Sequence, residues 1–136
     1  MSYLVDSSAW IEYFKGNQKF LLIDDFINTN TICTNEIILS ELLPSIIFKN
    51  ESKLAELLRS LHTYALVIDW QEIRTMQLDN LKHGNNNIGI SDLLIAQNCM
   101  QNKLKIITQD KHFFAMAKYM PLEVMPLEVA GIEPAS

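Results

Sequence analysis

The 136 residues are 49% hydrophobic and carry a net charge of −5, which suits one compact domain with a sizeable core. The acidic balance excludes broad, nonspecific phosphate binding, and no apolar run approaches the ~20 residues of a membrane helix. Met1 leads straight into a strand-like stretch, so a cytosolic setting is expected, and Cys33 and Cys99 are too few and too far apart for a disulfide framework or a zinc signature.

Tyr3 to Asp6 reads as a first strand closed by an acid. Ser7 or Ser8 then caps a helix carrying Ala9, Trp10, Ile11, Tyr13 and Phe14, which stops near Gly16. A second helix is expected over Lys19 to Ile27, followed by a short β-branched strand from Thr31 to Thr34. Asn35 opens a helix, EIILSELLPSIIF, in which Pro44 predicts a kink or a break. Lys53 to Leu61 is amphipathic, Ala65 to Ile68 reads as a third strand, and a helix runs from about Trp70 to His83.

GNNNIG, residues 84–89, is the clearest loop. Ser91 is the expected N-cap of the next helix, with Asp92 in its first turn and a broad apolar stripe behind it. Lys105 to Thr108 (KIIT) reads as a buried strand, Asp110 follows it, and a helix is expected from His112 to Tyr119. Leu122 to Met125 fits an edge strand. Residues 1–125 thus form the expected domain and 126–136 a C-terminal tail.

Short strands alternating with helices predict an α/β domain: a central, mainly parallel twisted sheet of four to five strands with helices on both faces. Sites in such folds form outside the carboxyl ends of the strands. That rule gives meaning to Asp6, Asp92 and Asp110, which converge if the first strand neighbours KIIT. Glu41, on the border of its helix's buried face, is the fourth candidate. Taken singly, each acid has a plainer role, as a helix cap or as a partner of a helix dipole.

Carboxylates crowded into one crevice repel each other unless a cation neutralises them. Oxygen-only ligands suit Mg²⁺ or Mn²⁺, ions that polarise phosphodiesters and acidify water. Ser8 and Thr108 are the hydroxyls placed to support the acids. His62, His83 and His112 lie in separate segments without metal-ligand spacing, and solvent-facing or capping roles are expected for them.

LVDSSAWIEYF, TNEIILSELL, ISDLLIAQNC and KIITQDKHF, in this order, resemble the PIN-domain family, specifically the small VapC-like toxin ribonucleases of bacterial toxin–antitoxin pairs. The resemblance covers Tyr3 to Val124. It implies a Mg²⁺- or Mn²⁺-dependent endoribonuclease that acts as a homodimer on RNA and is inhibited by a small cognate antitoxin. It carries the acidic positions over as Asp6, Glu41, Asp92 and Asp110, with Ser8 and Thr108 beside them. Asp6, Asp92, Asp110 and Glu41 are then expected to hold the ion, directly or through water, with Glu41 orienting or deprotonating the attacking water. Where some relatives carry a further acid two residues after Asp110, this chain has His112.

Two other classes compete. A PIN-like module that binds RNA or protein without cutting would have no need of the full acid set. A phospho-acceptor receiver domain would want paired acids after the first strand, and Asp6-Ser7-Ser8 lacks the pair. The apolar residues Ile46, Ile47, Phe48, Leu54, Leu57 and Leu58 exceed what a small domain readily covers, so they are expected to serve a homodimer, an antitoxin groove, or both.

Overall fold

The computed structural model describes residues 2–125; the tail expected over residues 126–136 lies outside the described residues. The element order is β1 (Tyr3–Val5), α1 (Ser7–Phe14), α2 (Leu22–Asn28), β2 (Ile32–Thr34), α3 (Glu36–Phe48), α4 (Ser52–Ser60), β3 (His62–Thr63), α5 (Trp70–Lys82), α6 (Ile90–Gln101), β4 (Lys105–Ile107), α7 (Lys111–Met116) and β5 (Glu123–Val124). A short 3-10 turn, Gln18–Phe20, precedes α2, so the single helix expected from Lys19 begins as two pieces.

All five strands pair in parallel, in the order β3-β2-β1-β4-β5. The chain works outward from β1 to β3, then crosses back to β4 on the other side of β1. With right-handed crossovers, that reversal sends the later helices to the opposite face of the sheet. It also opens a crevice between the carboxyl ends of β1 and β4, the position at which open α/β sheets bind ligands. Leu4, Val5, Ile106 and Ile107 are wholly buried at the centre, sandwiched with Trp10, Leu93 and Phe113.

Three local expectations fail for physical reasons. Pro44 sits inside one uninterrupted 13-residue helix. Its ring deprives the Ser40 carbonyl of an amide partner, but Ser40 and Pro44 are both exposed, so water can supply the missing bond.

Ala65 to Ile68 is not a strand; the third strand is His62–Thr63, whose pairing is prolonged by Tyr64 N donating to Thr34 O at 2.9 Å. Beyond it, amide side chains of α6 take over the work of a ladder. Asn98 Nδ2 donates to Ala65 O, Gln101 Nε2 to Val67 O and Gln97 Nε2 to Asp69 O. Backbone acceptors satisfied this way need no strand partner.

Helix α6 begins one residue before Ser91, with Gly89 as an N-cap that offers no side-chain bond. Asp92 remains in its first turn. Cys33 and Cys99 are buried free thiols, and burial pushes the Cys33 thiol up to about 12. No helix among the described residues is long and apolar enough to cross a membrane.

Candidate metal centre

Parallel pairing sets Val5 beside Ile107, so the residues that follow, Asp6 and Thr108, leave the sheet side by side. Asp6 N donates to Ile107 O at 3.1 Å, which carries the pairing one step past the strand. Asp6, rather than Ser7 or Ser8, is the N-cap of α1: its Oδ1 accepts from Ala9 N at 3.1 Å and from Ser8 Oγ at 2.8 Å. Its Oδ2 accepts from Thr108 Oγ1 at 2.8 Å. Both hydroxyls also accept from the loop after β4, Thr108 Oγ1 from Asp110 N at 2.9 Å and Ser8 Oγ from Gln109 N at 3.0 Å. Ser8 and Thr108 thus lock the ends of β1 and β4 together around one carboxylate.

That carboxylate is only 4% exposed. Burial outweighs its three hydrogen bonds, and the nearby charge of Asp110 adds to the effect, so the Asp6 carboxyl is pushed up to about 6. The bonds fill three of roughly four acceptor positions on a carboxylate, leaving one for a cation.

Asp110 caps α7 through His112 N, at 2.9 Å from Oδ1. Asp92 faces it from α6. Burial first, then the charges of Asp110 and Glu41, raise the Asp92 carboxyl, while His112 opposes the rise. Glu41 is exposed on α3 and is steadied by Ser7 Oγ, which donates to its Oε1 at 2.7 Å. Its charge bears on Asp92, which places it on the same crevice but nearer solvent than the border of a buried face.

His112 corrects the reading that gave the histidines only capping or solvent-facing roles. Its Nδ1 lies 3.2 Å from Asp92 Oδ2 and 3.4 Å from Asp110 Oδ1. Asp92, Asp110 and His112 each present one ligand atom within 4.8 Å of the others, and Asp6 and Glu41 fall outside that trio. Ligands around one small divalent ion stand at most about 4.2 Å apart, because each lies about 2.1 Å from it. The trio therefore fits such an ion after side-chain shifts of a few tenths of an ångström. Two carboxylates with one imidazole form an oxygen-rich donor set compatible with Mn²⁺ or Mg²⁺. The signal for His112 was its spacing of two residues from Asp110 at a helix start. The spacing of the histidines among themselves does not show it. Ser7, likewise missed, follows Asp6 directly.

A model of the PIN domain family matches residues 3–119. No curated protein matches by sequence. Among solved structures, VapBC2 from Rickettsia felis, bound to a DNA fragment from its promoter, aligns with a TM-score of 0.70 at 20% identity, over 92% of this chain and 98% of that one. DNA-bound VapBC from Salmonella typhimurium aligns at 0.68 and 14% identity, over 92% and 97%. A toxin-antitoxin complex from Klebsiella pneumoniae aligns at 0.62 and 16% identity, over 90% and 100%.

Proposed function

The chain belongs to the PIN domain family, and from that premise we propose that it is a Mg²⁺- or Mn²⁺-dependent endoribonuclease, the toxin of a toxin–antitoxin pair. In this reading it acts in the cytoplasm as a homodimer restrained by a small antitoxin. The observation that carries the proposal is the electrostatic design of the crevice. Asp6 is buried against its own interest at the switch point of the sheet, where burial and then the charge of Asp110 raise its carboxyl, and Asp92 is raised in turn by burial and by the charges of Asp110 and Glu41. Such an arrangement is costly without a cation and useful with one.

When bound, the divalent ion supplies polarisation of the phosphodiester and acidification of the attacking water. Asp92, Asp110 and His112 would hold it. Asp6, fixed in orientation by Ser8, Thr108 and the Ala9 amide, would add negative charge to the site. Glu41, exposed yet steadied by Ser7, is placed to orient the attacking water and accept its proton. Both glutamate and water can thus move without disturbing the buried network.

The antitoxin proposal is supported by the toxin-antitoxin assemblies among the fold's structural neighbours. On this chain, a cavity is lined by Ile11, Phe14, Leu42 and Ile46, together with two lysines, Lys15 and Lys49, and two acids, Glu41 and Glu51. It suits a largely apolar segment. Of the apolar residues expected to serve assembly, Ile46 and Leu58 are buried within the chain, Leu54 and Leu57 are half-buried against the core, and Ile47 and Phe48 are 51% and 86% exposed. Ile47 and Phe48 are the most open to a partner or a second copy.

Expression in a bacterium tests the toxin reading. Induction of the parent is expected to arrest growth with loss of cellular RNA, and induction of the Glu41→Gln variant at equal abundance is expected to do neither. Growth arrest by both proteins would sever toxicity from the proposed chemistry.

A further inference from the structure

Next to the metal centre lies a second cavity, of about 490 Å³, between the loop that leaves α5 and one face of α7. Asn86 and Asn87 form one wall, Lys111, Phe114 and Lys118 the other, and His112 joins the cavity to Asp92 and Asp110. We propose that this cavity is a subsite for one unstacked nucleotide of single-stranded RNA, adjacent to the phosphate that is cut; the inference rests on the nuclease reading.

The size falls within the range of small-molecule sites. The chemistry is that of a nucleotide site as well. Phe114 is half-buried and offers a ring for stacking, while the exposed Lys111 and Lys118 provide cations for phosphate. The exposed amides of Asn86 and Asn87 carry a donor and an acceptor each, which is what a base edge requires. A chain with a net charge of −5 has little long-range attraction for RNA, so contact must come from a local cationic site such as this one. A duplex keeps its bases stacked and cannot fill a concave pocket of this kind.

The loop wall is braced rather than loose. Gly84, at φ +78°, turns the chain out of α5 in a conformation that favours glycine. Gln77 Nε2 donates to Ile88 O at 2.6 Å, and Asn85 Nδ2 donates to Tyr119 Oη at 2.9 Å. Tyr119 Oη donates in turn to Asn80, whose side chain is wholly buried and bonded to Gln77. Tyr119 also stacks flat on His83, with ring centroids 3.8 Å apart. A wall fixed at both ends, with exposed amides between, loses little freedom when a ligand binds.

The test uses the Glu41→Gln protein, which should not consume its probe, and a short fluorescent single-stranded RNA of mixed sequence followed by anisotropy. Lys118→Glu is expected to weaken binding about tenfold or more, since it reverses a phosphate-facing charge. Phe114→Leu, which keeps an apolar side chain but removes the ring, is expected to weaken it severalfold. Lys53→Glu on α4, outside the cavity, makes the same charge change and should have a much smaller effect. Manganese affinity and thermal melts should be unchanged in all three. Binding by Lys118→Glu and Phe114→Leu as tight as that of the background protein, while the parent still cuts RNA, overturns the subsite and leaves the nuclease reading intact. Stronger loss with duplex than with single-stranded RNA would also overturn it. If the parent cuts no RNA and the background protein binds none, the nuclease reading falls and the subsite falls with it.

Discussion

Asp6→Asn is expected to abolish RNA cleavage while leaving the metal-free protein at least as stable as the parent. Cleavage should drop by about 10²–10³-fold or more, the scale of losing one preorganised electrostatic group from an active site. Stability should move the other way. The Asp6 carboxyl is raised from 3.8 to about 6, so folding favours its protonated form. That contribution is fully present below the unfolded value and is lost as pH rises through about 6. A shift of about two units corresponds to something on the order of 3 kcal/mol. In EDTA the parent should therefore melt progressively lower as pH climbs from 5 to 7.5, with Asp92, also raised, adding a slope of the same sign. Asparagine caps a helix as well as aspartate does and carries no charge to bury. The variant should show a flatter profile and melt several degrees above the parent at pH 7.5. Added Mn²⁺ should raise the parent's melting temperature and barely move the variant's. A variant that unfolds well below the parent at pH 7.5 without metal would mean that Asp6 is chiefly a structural cap.

Glu41→Gln should separate chemistry from binding. Glu41 is exposed, stands outside the Asp92–Asp110–His112 trio, and is steadied by Ser7 rather than by the buried network. Glutamine preserves its shape and can still accept from Ser7, but it cannot take a proton from water. Cleavage is expected to fall by about 10²–10⁴-fold, the usual contribution of a general base. Manganese affinity, read by calorimetry without RNA, should change by less than about tenfold. A collapse of metal affinity equal to the loss of cleavage would instead make Glu41 a ligand.

Much of this arrangement was legible from the sequence because its signals are local. Leu4-Val5-Asp6 and Ile106-Ile107-Thr108 are apolar runs ending in polar groups, and such runs announce strand ends whatever surrounds them. Adding the rule that sites sit at carboxyl ends of parallel strands was enough to bring Asp6 and Asp110 to one crevice.

The differences between expectation and structure arise from surroundings that the local sequence does not carry. Ala65 to Ile68 has the composition of a strand, but the carbonyls of Ala65 and Val67 are met by Asn98 and Gln101 of α6, 33 and 34 residues later. Nothing near residue 65 announces that. His112 looked isolated for the same reason: Asp92, its closer carboxylate, is 20 residues upstream. Pro44 does not break α3, because its cost depends on which side of the helix meets water. Only the packed helix shows that side to be solvent.

The central claim is that the acids of this crevice cut RNA through a divalent ion, and the most direct test is a metal titration of cleavage by metal-stripped protein. The parent is predicted to leave RNA intact in EDTA, to regain cleavage as Mn²⁺ or Mg²⁺ is added back, and to outpace Glu41→Gln by about 10²-fold or more at every concentration. Full cleavage by the parent in EDTA, with Glu41→Gln showing the same rate, would contradict the account.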